Sequence, residues 1–290
     1  MTARKWNRVT VIGCGLIGAS FALALRRGGA CERIAGWDSS AAVLAEALER
    51  GIIDEIDQSL ADGHVSQSDL FYLAMPVGEI IHFLRGRGCQ TKRGAIITDA
   101  GSTKAQVCRA AREHLPEGRL FIGGHPVAGS HYAGLAHARH DLFAGAPYAL
   151  ITGDGGETDQ ALAAIKETVE LLGARAVLTT ALEHDRAMAV VSHLPQLLSS
   201  ALAAAAREQP DVNALLDLAG PGYRDMTRLA ASSWSMWRDI LATNPAPVAR
   251  ALDVLIDKLV AVRDELQERS DCAGTDLTVT GALFKEPQQT

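Results

Sequence analysis

The chain has 290 residues, 48% of them hydrophobic, which is enough apolar material for one large or two ordinary domains with real cores. Its formal net charge of −6 speaks against nucleic acid or an anionic membrane surface as a partner. The five cysteines, Cys14, Cys31, Cys89, Cys108 and Cys272, are odd in number and lack C-x-x-C spacing, which argues against a disulfide framework or zinc site and fits a reducing cytoplasm.

The first elements are the most informative. An apolar run, Val9-Thr10-Val11-Ile12, leads into Gly13-Cys14-Gly15-Leu16-Ile17-Gly18 and then an Ala/Leu-rich helical stretch to Leu25. The next apolar run, Ile34 to Trp37, ends on Asp38, an acid 20 residues beyond Gly18. This is a G-x-G-x-x-G turn inside a βαβ unit, the pattern of a dinucleotide-binding fold. Gly13 permits the tight turn, Gly15 lets a pyrophosphate approach the backbone, and Gly18 lets helix and strand pack closely. The N–H groups at Leu16 and Ile17 open the helix and face the phosphates with its positive dipole end. Asp38 can accept from both ribose hydroxyls and would repel a 2′-phosphate, and Ser39 and Ser40 offer no arginine to hold one. The expected ligand is NAD rather than NADP, and Cys14 is read as a small filler.

Arg4, Lys5 and Arg8 ahead of an apolar stretch have the outline of a secretory signal. The glycines suit an h-region poorly and the βαβ reading accounts for every residue, so no signal is expected. No other uninterrupted apolar run reaches spanning length, so no membrane span is expected either.

Short β-type runs then alternate with helical stretches. Strands are predicted at Val9–Ile12, Arg33–Trp37, Leu70–Ala74, Ala95–Thr98, Leu120–Ile122, Pro147–Ile151 and Ala176–Leu178, with helices such as Ala41–Arg50 and Ala105–His114 between them. This alternation predicts an α/β, doubly wound and largely parallel sheet. After Thr180 the β-type pattern ends. Leu197–Arg207, Asn213–Leu218, Met226–Ala231, Ser235–Leu241 and Val248–Gln267 read as helices. The division expected is a dinucleotide-binding domain at 1–180 and an all-helical domain at 181–290. Ala251, Leu252, Leu255, Ile256, Leu259 and Val260 form a wide apolar stripe, which favours a homodimer through the helical part.

Four segments carry residues suited to chemistry. Asp99-Ala100-Gly101-Ser102-Thr103-Lys104 follows a strand; it is a helix start with Ser102 or Thr103 as N-cap, a role that leaves the hydroxyl open to a second one. Gly123-Gly124-His125-Pro126 through His131 follows the next strand and places His125 in a rigid loop rather than on an amphipathic face. Glu183-His184-Asp185 is consecutive, without a second ligand set at i,i+4, so capping and salt bridges are expected there rather than a metal, and His193 reads as a buried strut. Gly220 to Ala230 with Met236-Trp237-Arg238-Asp239 is rich in arginine, either a solvated face or, at Arg228 beside Leu229 and Ala230, a carboxylate clamp.

Together these segments resemble the prephenate/arogenate dehydrogenase family, the dehydrogenases of tyrosine biosynthesis. The resemblance rests on H-P-V-A-G-S-H-Y-A-G (125–134), V-S-H-L-P-Q (191–196), G-Y-R-D-M-T-R-L-A (222–230) and M-W-R-D (236–239), in that order, and covers roughly residues 8 to 270. It implies a nucleotide-binding domain followed by a helical dimerisation domain, and oxidative decarboxylation of a cyclohexadienol. By the resemblance His125 is the catalytic histidine, taking the proton of the ring 4-hydroxyl as hydride leaves C4, and Ser102 supports it. Arg228 is implied to bind the ring carboxylate, with Ser130, His131, Gln196 and Trp237 bordering the substrate. The family resemblance further implies NAD bound by Gly13, Gly15, Leu16, Ile17, Gly18, Asp38 and Ser39, and no metal. Gln196 stands where many members carry a histidine. His131 stands at a spot that is often acidic, which favours prephenate over the ammonium-bearing arogenate. No regulatory domain and no fused mutase are expected. The alternatives are an arogenate or dual-specificity enzyme, or a β-hydroxyacid dehydrogenase, whose lysine would have to be Lys258. A non-enzymatic NAD sensor would have no need of His125 and Arg228 together.

Overall fold

Val9, Val11 and Ile12 are fully buried, as a strand covered on both faces requires. They lie on β1 (Trp6–Ile12), the middle of the main sheet in a computed structural model that describes residues 6–128, 134–153, 158–268 and 277–285. The chain continues as α1 (Leu16–Arg27), β2 (Cys31–Trp37), α2 (Ala41–Glu49), β3 (Glu55–Ile56), α3 (Gln58–Ala61), β4 (Leu70–Leu73), α4 (Val77–Gly86), β5 (Ile96–Asp99), α5 (Ala105–His114) and β6 (Leu120–Ile122). These six strands are all parallel, in the order β3-β2-β1-β4-β5-β6. That is the doubly wound order, and its direction reverses beside β1, so the crevice for a ligand opens at the carboxyl ends of β1 and β4. Phe21 of α1 stacks on Tyr72 of β4 with ring centroids 3.7 Å apart, sealing one face of the sheet.

The alternation predicts that the next strands extend this sheet, and here the structure differs. β7 (Gly124–Pro126) runs antiparallel to β8 (Pro147–Ile151), which is parallel to β9 (Arg175–Thr179), and the three form a sheet of their own flanked by α6 (Asp159–Leu171). The break falls at two glycines. A Cβ at Gly123 would meet Cys108 Sγ at 2.9 Å, and one at Gly124 would meet the Asp99 carbonyl oxygen at 2.6 Å. Only residues without side chains let the chain leave β6 and turn at once into a new sheet.

The remaining elements described are helical: α7 (Ala181–Met188), a π-helical turn (Ala189–His193), α8 (Leu194–Arg207), α9 (Val212–Asp217), α10 (Pro221–Thr227), a 3-10 turn (Arg228–Ala231), α11 (Trp234–Thr243), α12 (Pro245–Glu268) and α13 (Thr278–Lys285). α7 opens with a capping box. Thr180 Oγ1 accepts the Glu183 N–H at 3.2 Å, and the Glu183 carboxylate accepts the Thr180 N–H at 3.1 Å. Those Thr180 donors hold the Glu183 carboxyl below its usual range.

Two compact units emerge, one of residues 1–188 with 231–244 and one of 189–230 with 245–290. The first therefore takes in α7 and α11, which lie beyond residue 180. In the second, Val254, Ile256, Leu259 and Leu266 on α12 are exposed. Among the described residues one helical run, Ala181–Arg207, reaches the length and composition of a membrane-crossing helix, which by itself is weak evidence for a span. Glu183, His184, Asp185, Arg186 and His193 interrupt that run, so it holds no unbroken apolar stretch of spanning length.

Candidate active site

The glycine turn is built as its spacing requires. Gly13 has φ +92°, and its N–H donates to the Trp37 carbonyl at 2.8 Å. A Cβ at Gly13 would run into the carbonyl of Ala74, and one at Gly18 into the carbonyl of Gly13. Nothing lies within 4 Å of a Cβ built on Gly15, so the backbone there faces open space. Gly15 is the N-cap of α1, without a side-chain cap or an acid in the first turn. The N–H groups of Leu16, Ile17 and Gly18 thus begin the helix without intrahelical acceptors, as an anion requires. Asp38, half-buried at the end of β2, is held at the mouth of this turn. Its carboxylate accepts the Cys14 N–H at 2.8 Å and the Ser40 N–H at 2.9 Å. Ser39 beside it is exposed. The open cradle, the free N–H groups and the fixed acid fit a dinucleotide. Burial, reinforced by Asp38, pushes the Cys14 thiol up to about 12, so it is a filler and not a nucleophile.

His125 lies at the centre of β7, paired across from Ala149, rather than in a loop as its glycine and proline neighbours predict. Its anchorage is ionic and fully buried. Asp99, the last residue of β5, accepts the Gly124 N–H at 3.0 Å and the Gly101 N–H at 2.8 Å, and pairs with the ammonium of Lys104. Lys104 in turn donates to the Gly124 carbonyl at 2.8 Å. Both side chains of this pair are 0% exposed. The peptide groups on either side of Gly124 are therefore held by one ion pair. A buried charge is tolerable only when paired and hydrogen-bonded throughout, which this geometry supplies.

The imidazole is gripped as well. His125 Nδ1 lies 2.9 Å from Nε2 of His184, the rings edge to face, and His184 Nδ1 lies 2.8 Å from the Asp185 carboxylate. Asp185 also accepts the N–H groups of Lys104 at 2.7 Å and Ala105 at 2.9 Å. It is therefore the true cap of α5. The expectation that Ser102 or Thr103 caps this helix is corrected: α5 begins only at Ala105, and Lys104, the N-cap residue, makes no side-chain cap bond. Thr103 Oγ1 instead pairs with Thr243 Oγ1 at 2.7 Å, while Ser102 is half-buried in the turn after β5. Asn244 Nδ2 donates to the Asp185 carbonyl at 2.8 Å. His184, Asp185, Asp99 and Lys104 are the residues that sequence reasoning did not assign to the site. The signal available was Glu183-His184-Asp185, whose capping role is correct but whose reach to His125 is not local.

Of the other residues, Trp237 is half-buried on α11, in the same unit as His125. Gln196 and Arg228 belong to the helical unit. The Gln196 amide donates to the Leu229 carbonyl at 2.8 Å, and Ser199 Oγ accepts the Ala230 N–H at 3.0 Å. α8 thereby holds the 3-10 turn that Arg228 opens, with the Arg228 side chain exposed. His193 is buried. Ser130 and His131 lie outside the described residues. Among the described residues, no group of three or more His, Cys, Asp or Glu side chains is placed to hold a metal ion.

Comparison with known proteins agrees with this layout. The family model for the prephenate dehydrogenase nucleotide-binding domain matches residues 21–178, and that for the prephenate dehydrogenase dimerization domain matches residues 180–273. A prephenate dehydrogenase of Bacillus subtilis (strain 168) is 34% identical over 265 residues, which is 90% of this chain and 71% of that one. Among solved structures, prephenate dehydrogenase from A. aeolicus in complex with hydroxyphenyl propionate and NAD+ superposes with a TM-score of 0.85 at 27% identity, covering 96% of this chain and 95% of that one. Synechocystis arogenate dehydrogenase gives 0.80 at 28% identity, covering 97% and 98%. The chain belongs to the prephenate dehydrogenase family. It is an oxidoreductase whose nucleotide-binding domain is followed by a dimerisation domain, and that membership decides against the β-hydroxyacid alternative.

Proposed function

We propose that the chain converts prephenate to 4-hydroxyphenylpyruvate by oxidative decarboxylation with NAD, the dehydrogenase step of tyrosine biosynthesis. The observation that carries this reading is His125, half-buried on β7 and held through both backbone and ring by buried polar groups, in the unit that also carries the dinucleotide turn. The relatives that act on prephenate or arogenate support the substrate class.

The reaction asks little of the protein beyond positioning and one proton acceptor. His125 takes the proton from the ring 4-hydroxyl as a carbonyl forms at C4. The nicotinamide, when bound, supplies the acceptor for the hydride that leaves C4. Loss of CO2 from the opposite ring carbon returns an electron pair to the ring and leaves a phenolate, to which the proton on His125 can go back. Aromatisation drives the step. A placed base contributes typically 10²–10⁴-fold, and positioning several kcal/mol more. Ser102 supports the histidine, Arg228 binds the ring carboxylate by a charge-assisted fork, and Ser130, His131, Gln196 and Trp237 border the substrate. Gly13, Gly15, Leu16, Ile17, Gly18, Asp38 and Ser39 hold the NAD.

The working form is a homodimer in the cytoplasm, paired through the helical unit. Support comes from the dimerisation-domain match and from the exposed apolar residues of α12. The same pairing gives the exposed Val190 and Val191, which lie in the helical unit, a use that requires no membrane. Appearance of reduced nicotinamide by absorbance, with prephenate and arogenate offered separately and NAD then replaced by NADP, tests the reading. Turnover with prephenate and NAD is expected. Preference for arogenate overturns the substrate, and silence with both overturns the reaction.

A further inference from the structure

We infer that His184 is a positioning residue that selects the reacting nitrogen of His125, keeping its proton on Nδ1 and its lone pair on Nε2. This rests on the reading of His125 as the proton acceptor. Asp185, His184 and His125 form a chain of hydrogen bonds whose donors can be assigned in turn. The Asp185 oxygens accept from Lys104 N and Ala105 N, and the one that accepts from Lys104 is also 2.8 Å from His184 Nδ1. A carboxylate in that setting only accepts, so His184 Nδ1 carries the hydrogen. In the neutral ring the other nitrogen of His184, Nε2, then presents a lone pair. That lone pair lies 2.9 Å from His125 Nδ1, so Nδ1 of His125 must be the donor. Its Nε2 then carries the lone pair that the proposed base requires.

The logic is that of a triad, with a second imidazole inserted between acid and base. His184 is 3% exposed and Asp185 2%, so water does not compete for either bond. The pair has a second anchor. Asp185 caps α5, and Lys104, whose N–H it binds, clamps the Gly124 backbone through its ammonium. Ring and backbone of His125 are thus referenced to the same helix end. When the proton arrives at Nε2, the Nδ1–H bond to His184 stays in place, and the new positive charge meets an acceptor backed by a carboxylate. Neither His184 nor Asp185 touches the substrate in this scheme.

Two substitutions separate this role from a merely structural one. The side-chain amide of His184→Asn can still donate to Asp185 but is too short to reach His125. The longer amide of His184→Gln can place its carbonyl where Nε2 stood and accept the His125 Nδ1–H. In full-length protein labelled with ¹⁵N-histidine, native His125 should show the Nδ1–H tautomer by NMR. His184→Asn should show a mixture, and His184→Gln should restore the native pattern. With prephenate and NAD, kcat of His184→Asn should fall at least roughly tenfold, less than the ~10⁴-fold loss when a triad is left in the wrong tautomer. KM should stay near its native value, since a group acting only through the base leaves ground-state binding alone, and His184→Gln should recover most of the rate. Nδ1–H absent in the native protein, or Asn and Gln variants alike in both tautomer and kcat, overturns the inference. A tautomer shift with unchanged kcat leaves the tautomer lock standing and overturns instead the reading of His125 as the base.

Discussion

His125 is held by partners that fix where its ring sits, and on the proposed function its removal should act on turnover rather than on affinity. His125→Asn is expected to lower kcat by about 10²–10⁴-fold while KM for prephenate stays near native, measured by steady-state formation of reduced nicotinamide. A near-normal kcat would remove the histidine from the chemistry. Arg228 should behave in the opposite way. Its exposed guanidinium opens the 3-10 turn that Gln196 and Ser199 tie to α8, so Arg228→Ala deletes a charge without loosening the turn. A lost charge-assisted bond of about 1.5–3 kcal/mol corresponds to a KM raised roughly ten- to a hundredfold with kcat changed much less. An unchanged KM would mean that the carboxylate is bound elsewhere. His125 stood out in the sequence by its glycine and proline neighbours, whereas Arg228 stood open between a solvated face and a carboxylate clamp until the family resemblance assigned it a role. The partners of His125 were not legible. Lys104 and Asp185 meet across 81 residues and His125 and His184 across 59, and no local periodicity encodes a contact of that range.

At the level of elements, local rules predicted what local forces control. The turn at Gly13–Gly18, the strand ending at Asp38, the stop of α2 before Gly51 and the strand Pro147–Ile151 follow from glycine conformations and β-type runs. Two features did not follow. β7 is only three residues long and exists because β8 is available to pair with it. The start of α5 is displaced past Ser102 and Thr103, both good N-cap residues, because a carboxylate from α7 supplies a charged cap that neither hydroxyl matches. The glycine turn also makes a sharp prediction. The helix start of α1 packs so closely on the turn that a Cβ at Gly18 would strike the Gly13 carbonyl. Gly18→Val should therefore disrupt the phosphate-binding turn, lowering NAD affinity at least tenfold, on the order of 1.4 kcal/mol or more. Fluorescence titration with the reduced nucleotide measures it, and native affinity would show that the turn is not the nucleotide site.

At the level of the whole chain, β-type alternation gives way to Ala- and Leu-rich helix after Thr180, and the two family matches cover residues 21–178 and 180–273. Contacts divide the chain differently, because α7 and α11 join the nucleotide-binding unit. Composition cannot show that, since a helix has the same apolar signature whichever unit it packs on. The exposed stripe of α12 gives the test of assembly. Leu259 is 53% and Ile256 50% exposed, unusual for branched aliphatics on a long helix. In a two-fold dimer each substitution there counts twice, and a buried aliphatic side chain is worth about 1.5–3 kcal/mol. If the proposed dimer pairs through this stripe, Leu259→Asp should run as a monomer at micromolar concentration by light scattering after size exclusion where the native chain runs as a dimer, with the nucleotide-binding unit still folded. A dimer of native mass would place the interface elsewhere.

The buried ion pair beneath Gly124 has a consequence for how this scaffold can change. Asp99 and Lys104 hold the histidine through the Gly124 backbone, and both side chains are fully buried. On the proposed function, the proton-handling part is thereby insulated from the choice of ring, and the residues proposed to read the ring's substituents are free to drift. A lineage, or a protein engineer, could then retune what the enzyme accepts by altering Arg228 and its surroundings while inheriting the proposed base unaltered. The reverse path would be closed, because any change to the lock would disturb every substrate at once.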